Sequence, residues 1–224
     1  MKLVFLGDST MQLNDASTYP QCGWPQALDG HWMDFVEVHN LAKNGRSTKS
    51  YINEGLFDAA LNVIDENTYV VIEFGHNDEH IYNEEQYTRA DVEYKDNLRL
   101  MYDSCIKKGA KVLFLTPIYR RQFLEDGTMN PECHKGYREA MIEVANEVQT
   151  PYIDMTSLTK EAIQQMGENA SKKCFMNFES GLYENYPEGK EDNTHLRKMG
   201  ANLIASIFMS EVIKMNHPIS DLFK

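Results

Sequence analysis

A serine near the beginning of the sequence and an aspartate and histidine near its end are the residues best suited to chemistry. Ser9 carries a hydroxyl that can attack an ester once its proton is removed. His195 can take that proton, because imidazole titrates closest to neutral pH. Asp192 stands just before His195 and can turn back to hold the ring in the tautomer that accepts the proton. The three residue types together predict nucleophilic attack on an acyl group.

Such an attack also needs N–H donors for the oxyanion that forms on the acyl oxygen. Gly45 has no side chain to keep that oxygen from its backbone amide, and Asn77 offers a neutral side-chain NH₂. Gly45 belongs to the turn dipeptide Asn44-Gly45, and Asn77 to Gly75-His76-Asn77-Asp78. We therefore predict that Gly45 and Asn77 contribute donors to an oxyanion hole.

Each of these residues also has an explanation that involves no chemistry. Ser9 and the Asp192 segment can cap helices, because serine and aspartate are preferred at helix N-termini. Gly45 can be an ordinary loop glycine, and Asn77 can simply turn the chain after a strand. The joint presence of all four features favours the catalytic interpretation.

Apolar runs that stop at small polar residues predict the strands that position these groups. We expect strands at Lys2–Leu6, Phe35–Val38, Tyr69–Phe74, Lys111–Thr116 and Tyr152–Asp154. Helical spacing of apolar residues predicts helices near 24–28, 50–64, 92–108, 137–148 and 157–166, an irregular segment at 174–192, and a last helix from Thr194. Strands that alternate with helices imply one α/β domain, with a five-stranded parallel sheet between two helical layers.

The predicted sheet brings the candidate residues to one edge. Ser9 follows the first predicted strand, Gly45 the second and Asn77 the third. The carboxyl ends of parallel strands meet at the same edge, which is where ligands bind in open α/β sheets.

Composition and charge exclude several other classes of protein. Lys and Arg number 22 against 34 Asp and Glu, and the net charge of -12 opposes binding to nucleic acid or anionic membranes. No apolar run is long enough to span a membrane, and the first residues lack the pattern of a signal peptide, so we expect a cytoplasmic protein. The four cysteines are widely spaced, and we predict free thiols.

A metal site is a further interpretation of one segment. His76, Asp78 and His80 lie within five residues and have side chains that bind metals. No cysteine pair and no H-E-x-x-H motif supports them, so we predict no metal and no cofactor.

Four short motifs resemble those of the SGNH (GDSL-type) hydrolases, in the order that this family has them. They are G-D-S-T-M at Gly7–Met11, G-R-S-T-K-S-Y at Gly45–Tyr51, E-F-G-H-N-D at Glu73–Asp78 and Y-P-E-G-K-E-D-N-T-H at Tyr186–His195. The branch that they resemble most is that of the rhamnogalacturonan acetylesterases. The resemblance implies a three-layer, flavodoxin-like SGNH fold over residues 1–224.

The resemblance also implies a function. It suggests a serine esterase that removes O-acetyl groups from carbohydrate, with a Ser9-His195-Asp192 triad, an acyl-enzyme and no cofactor. It also implies that the backbone amide of Ser9 completes the oxyanion hole with Gly45 and Asn77. The expected substrate is a small acetylated oligosaccharide, with fragments of pectic rhamnogalacturonan as the family precedent. The oligomeric state is left open.

Several residues near these motifs could bind such a substrate. Lys43, Arg46 and Lys49 beside Gly45, and Arg120 and Arg121 after the fourth strand, could pair with uronate carboxylates or remain solvated surface charges. Tyr183 and Tyr186 could stack on sugar rings or pack their own loop. We count Arg46, His76, Tyr183 and Tyr186 as candidate substrate contacts.

Two other functions fit the same fold. A lipase or thioesterase would need an apolar acyl groove, and the segment from Tyr119 to Glu132 is too polar and charged to suggest a long one. The G-x-S-x-G motif of the larger α/β-hydrolase class is absent, because Met11 stands where its second glycine would be. A non-catalytic sugar-binding module would have no need of Ser9, Asp192 and His195 together.

Overall fold

Five parallel strands form the central sheet in a computed structural model that describes residues 1–224. The strands are β1 (Lys2–Gly7), β2 (Glu37–Asn40), β3 (Thr68–Glu73), β4 (Lys111–Leu115) and β5 (Tyr152–Ile153). Their order across the sheet is β2-β1-β3-β4-β5. β1 pairs along its whole length with β3, from Lys2 opposite Thr68 to Gly7 opposite Glu73. The predicted α/β architecture is confirmed.

Helices cover both faces of this sheet. They are α1 (Thr48–Asn53), α2 (Leu56–Leu61), α3 (Glu93–Lys107), α4 (Tyr137–Glu147), α5 (Met155–Ser171) and α6 (Lys198–Lys214), with short 3₁₀ helices at Ala16–Thr18, Trp24–Leu28, Lys172–Cys174 and Pro218–Leu222. Side chains alternate along β1, so Leu3 and Phe5 belong to one apolar core and Val4 and Leu6 to the other. Such double burial explains why the strand is apolar throughout.

Several predicted boundaries are wrong in detail, among them those of the helix expected at 157–166, which is α5 (Met155–Ser171). The single helix expected at 50–64 is two helices, because Gly55 adopts a left-handed conformation with a φ of 74° between them. The second strand starts two residues later than Phe35, at Glu37, where pairing with Lys2 of β1 begins. The last helix starts at Lys198, because the chain through Leu196 is still extended.

The segment expected to be irregular contains a small antiparallel hairpin. Its strands are β6 (Phe175–Phe178) and β7 (Lys190–Leu196). β7 is almost entirely polar, so it lacks the apolar pattern that predicts a strand. Since β7 carries both Asp192 and His195, this unpredicted element positions two of the three residues of the candidate triad.

None of the helices combines the length and the apolar composition that crossing a bilayer requires.

Candidate active site

Ser9 lies in the tight turn that follows β1. The backbone of Gly7 runs so close to β3 that a Cβ atom there would stand 2.7 Å from the carbonyl oxygen of Glu73, closer than side chains are found. Glycine at this position therefore lets the two strand ends stay together. The turn leaves Ser9 only 6% exposed, at the edge of the sheet where the strand order predicted it.

Ser9, His195 and Asp192 form a hydrogen-bonded row. Ser9 Oγ lies 2.9 Å from His195 Nε2, and His195 Nδ1 lies 2.7 Å from Asp192 Oδ2. An imidazole protonated at Nδ1 would donate to Asp192 and accept the hydroxyl proton of Ser9 at Nε2. The structure thus brings together three residues that the sequence places at its two ends.

Asp192 is held by the backbone as well as by the imidazole. Its Oδ1 accepts N–H bonds from Thr194 at 2.9 Å and from His195 at 3.0 Å, which folds the segment into a turn. Burial raises the pKa of Asp192, but these bonds and the contact with His195 outweigh it and hold the pKa well below its usual range. The carboxylate is therefore ionised when it faces the imidazole.

Three N–H groups in the loops that follow β1, β2 and β3 lack acceptors within the protein. The backbone amides of Ser9 and Gly45 donate to no protein atom, and Asn77 uses one N–H of its side chain on the carbonyl of Arg46 at 3.1 Å. Gly45 has a φ of 71°, which favours glycine in this turn. These are the three groups that we predicted as oxyanion donors.

Asp78 ties together the loops that carry these donors. Its buried carboxylate accepts hydrogen bonds from the amide of Thr48 at 3.1 Å and from the hydroxyl of Thr88 at 2.9 Å. Thr48 opens α1, three residues after Gly45, so Asp78 links the Gly45 loop to the Asn77 loop. Burial raises the pKa of Asp78 to about 7.

The segment considered for a metal site has other contacts. His80 Nδ1 lies 3.0 Å from Gln86 Oε1, and no group of three His, Cys, Asp or Glu side chains is arranged to hold a metal ion.

A buried network lies beneath the nucleophile turn. Thr10 Oγ1 is 2.9 Å from both Asp8 Oδ1 and Glu73 Oε1, and Trp24 Nε1 donates to Glu73 Oε2 at 3.1 Å. A hydroxyl has one hydrogen, so it can donate to only one of the two carboxyl groups. Burial and the neighbouring Asp8 raise the pKa of Glu73 to about 8. Glu73 is therefore protonated at neutral pH, and Thr10 can accept a hydrogen bond from the Glu73 O–H while its own hydroxyl donates to Asp8.

This assignment predicts how stability changes with pH. The carboxyl of Glu73 ionises near its ordinary value of 4.5 in the unfolded chain, so unfolding releases a proton from about pH 5 to about pH 8. Stability must fall as the pH rises through this window. Glu73→Gln keeps a donor for Thr10 and an acceptor for Trp24. Between these pH values the free energy of unfolding of this variant should fall less than that of the wild type, by on the order of 2 kcal/mol. Urea unfolding at both pH values measures the difference.

The exposed Glu84 offers a matched control. Glu84→Gln removes a solvent-exposed carboxylate, and it should leave the pH dependence of the wild type unchanged. Equal slopes for wild type and Glu73→Gln would mean that Glu73 is ionised in the folded protein.

His76 lies inside the protein beside the site. It is 2% exposed, its ring packs edge-on against His134 at 4.4 Å, and neither ring nitrogen has a hydrogen-bond partner. Burial and the neighbouring cations His134 and Arg120 lower the pKa of His76 well below its ordinary value, so the ring is neutral. Arg120 donates to the carbonyl of His76 at 2.9 Å and pairs with Glu79. His134 and Glu79 belong to no motif, so no sequence pattern predicts this cluster.

The other candidate substrate residues all have partners within the protein. Arg46 pairs with Glu54 at 2.7 Å. Tyr183 packs on Phe178 with ring centroids 4.6 Å apart, and Tyr186 donates to the carbonyl of Thr18 at 3.3 Å. These contacts fix the side chains, and their part in substrate binding stays a prediction.

Arg121 has a structural role that the sequence did not predict. It is 4% exposed, and its guanidinium donates to Asn193 Oδ1 at 2.8 Å, while its backbone amide donates to the carbonyl of the same residue at 2.8 Å. Asn193 stands between Asp192 and His195. Arg121 therefore anchors β7 to the body of the protein and is not the free surface charge that was one of its two interpretations.

Comparison with known proteins places the chain in a family. A model of the GDSL-like lipase/acylhydrolase family matches residues 5–174. Rhamnogalacturonan acetylesterase RhgT of Bacillus subtilis (strain 168) is 34% identical over 219 residues, covering 97% of this chain and 92% of that protein. The probable rhamnogalacturonan acetylesterase YesY of the same strain is 31% identical over 215 residues, covering 96% and 94%.

A solved structure supports the fold. The crystal structure of the Bacillus subtilis protein YXIM superimposes with a TM-score of 0.81 at 23% identity, and the match covers 96% of this chain and 57% of that one. The family model covers well over half of the chain, and the structural match agrees with the five-stranded sheet. The chain therefore belongs to the GDSL-like lipase/acylhydrolase family, as the four motifs predicted, and is a carboxylic ester hydrolase.

Proposed function

We propose that this protein removes O-acetyl groups from carbohydrate, and that its substrates are acetylated oligosaccharides of pectic rhamnogalacturonan. The catalytic part of this proposal rests on the hydrogen-bonded row of Ser9, His195 and Asp192. The imidazole of His195 lies 2.9 Å from the Ser9 hydroxyl and 2.7 Å from the Asp192 carboxylate. The substrate part is supported by two relatives with over 30% identity along nearly the whole chain, whose names specify rhamnogalacturonan acetylesterase.

In the first half of the reaction Ser9 becomes acetylated. Its Oγ attacks the carbonyl carbon of the acetyl ester while His195 Nε2 takes the hydroxyl proton. The resulting oxyanion accepts hydrogen bonds from the free N–H groups of Ser9, Gly45 and Asn77. When the tetrahedral intermediate collapses, the sugar hydroxyl leaves with the proton from His195, and acetyl-Ser9 remains.

The second half regenerates the enzyme with the same groups. A water molecule gives its proton to His195 Nε2 and attacks the acetyl carbonyl of Ser9. The same donors hold the second oxyanion, and its collapse returns the proton to Ser9 Oγ and releases acetate. Asp192 stays ionised throughout and stabilises the imidazolium that forms in each half.

One surface cavity could hold neighbouring sugar units. It has a volume of about 640 Å³ and lies between the segment after Ser9 and the loop of the β6–β7 hairpin. Tyr19 and Tyr183 contribute aromatic faces to its wall, and Gln21 contributes a side-chain amide. Aromatic faces pack on the apolar faces of sugar rings, and amides bond with hydroxyls, so the lining suits an oligosaccharide.

Acetate release from a panel of substrates tests this proposal. We expect kcat/KM to be highest for acetylated rhamnogalacturonan oligosaccharides, lower for acetylated xylan, and low for p-nitrophenyl esters of long fatty acids. Hydrolysis of the long-chain esters without acetate release from any polysaccharide would contradict the carbohydrate assignment and favour a lipase. Acetate release from xylan alone would contradict the pectic assignment and leave the triad untouched.

A further inference from the structure

A lysine touches the acid of the candidate triad. Lys190, the first residue of β7, places its ammonium 3.4 Å from Asp192 Oδ2, the same oxygen that accepts the His195 Nδ1–H bond. The ammonium also lies 5.0 Å from the centre of the Tyr186 ring. The Lys190 side chain is 30% exposed and that of Asp192 is 16% exposed, so solvent screens the ion pair only in part.

This contact has an electrostatic consequence for the base. His195 must be neutral to accept the proton of Ser9, and Asp192 alone favours the protonated ring. A cation beside the carboxylate acts in the opposite direction, because it repels the positive charge of an imidazolium.

The other charged groups around the imidazole come from several elements. Asp8, after β1, favours the imidazolium, whereas the neutral His76 after β3 adds no charge. Arg121, after β4, donates to Asn193, two residues before His195, and is a further cation near this segment. Apart from His195 itself, Lys190 is the only basic side chain that forms an ion pair with Asp192.

On the basis of the proposed function, we propose that Lys190 is a positioning residue that keeps the His195 base free of its proton under mildly acidic conditions. It does so through Asp192 and needs no contact with the substrate. Tyr186 supports it by packing against its ammonium, which gives that tyrosine a role other than stacking on sugar.

The test is the pH profile of kcat/KM for p-nitrophenyl acetate, a neutral ester that cannot pair with a lysine. Lys190→Met should move the midpoint of the acidic limb to higher pH by about half a unit, which is the effect of one charge several ångströms away near a protein surface. At a pH below the midpoint kcat/KM should fall about threefold, and on the alkaline plateau it should be unchanged.

Two variants serve as controls. Lys190→Arg keeps the cation and should keep the wild-type profile. Lys172→Met removes a lysine that lines the same surface cavity as Lys190 but has no carboxylate partner, and it should also leave the profile unchanged. Thermal unfolding of each variant shows whether the fold is intact.

Different results would overturn different claims. An unshifted profile for Lys190→Met, or an equal loss at every pH, would overturn the role of Lys190 in setting the proton affinity of His195. A higher KM for uronate-containing oligosaccharides with an unshifted profile would make Lys190 a substrate contact instead. Wild-type protein no more active on the ester than Ser9→Ala would instead contradict the proposed function itself.

Discussion

Replacing Ser9 by alanine is expected to lower kcat/KM for acetyl esters by on the order of 10⁴ to 10⁶-fold. The variant lacks the Oγ that attacks the carbonyl, and no other hydroxyl stands at hydrogen-bond distance from His195 Nε2. The melting temperature should change little, because the change removes one partly buried hydroxyl bond, worth about 1 kcal/mol. Kinetics with p-nitrophenyl acetate and thermal unfolding measure both quantities.

His195→Ala supplies the comparison for this result. The loss should approach that of Ser9→Ala, and the double variant should be no slower than either single variant, because the two residues act as a unit. Losses that multiply in the double variant would show that Ser9 and His195 contribute independently, which is incompatible with a proton transfer between them.

The second large effect is expected at Asn77. Asn77→Ala should lower kcat by on the order of 10² to 10³-fold with little change in KM, because its free N–H bonds with the oxyanion more strongly than with the ground-state carbonyl. Its other N–H bonds with the carbonyl of Arg46, so a loss of stability of about 1 kcal/mol should accompany the change. Steady-state kinetics on an acetyl ester separates kcat from KM.

Gln86 provides a matched control for Asn77. Its side-chain amide supports the same loop by donating to the carbonyl of Gly45 at 2.6 Å, but it does not belong to the predicted oxyanion hole. Gln86→Ala should therefore cost less than about tenfold in kcat. A loss at Gln86 as large as that at Asn77 would mean that both residues act only by shaping the loop.

The central sheet and the edge that carries Ser9, Gly45 and Asn77 could be predicted from the sequence. β1 and β3 are buried on both faces, so they appear as continuous apolar runs that end at small polar residues. Parallel pairing then requires their carboxyl ends to meet. No further information is needed to predict that the residues at those ends lie close together.

The rest depended on contacts that local patterns do not encode. β7 is polar because it lies at the surface and pairs only with the short β6, so no apolar alternation marks it. The protonated state of Glu73 depends on its burial beside Asp8 and Thr10. These two residues follow β1, and Thr10 lies 63 residues before Glu73 in the sequence. The contact between Lys190 and Asp192 depends on the register of the hairpin. A shift of one residue would move every side chain of β7 to its opposite face.

Covalent labelling tests the central claim most directly. Diethyl p-nitrophenyl phosphate traps an activated serine, because its phosphoryl group stays on the nucleophile after p-nitrophenolate leaves. Intact-protein mass spectrometry should show one diethylphosphoryl group per chain, and peptide fragmentation should place it on Ser9, with no adduct on the His195→Ala variant. An adduct on another residue, or labelling that persists in Ser9→Ala, would contradict the assignment of Ser9 as the nucleophile.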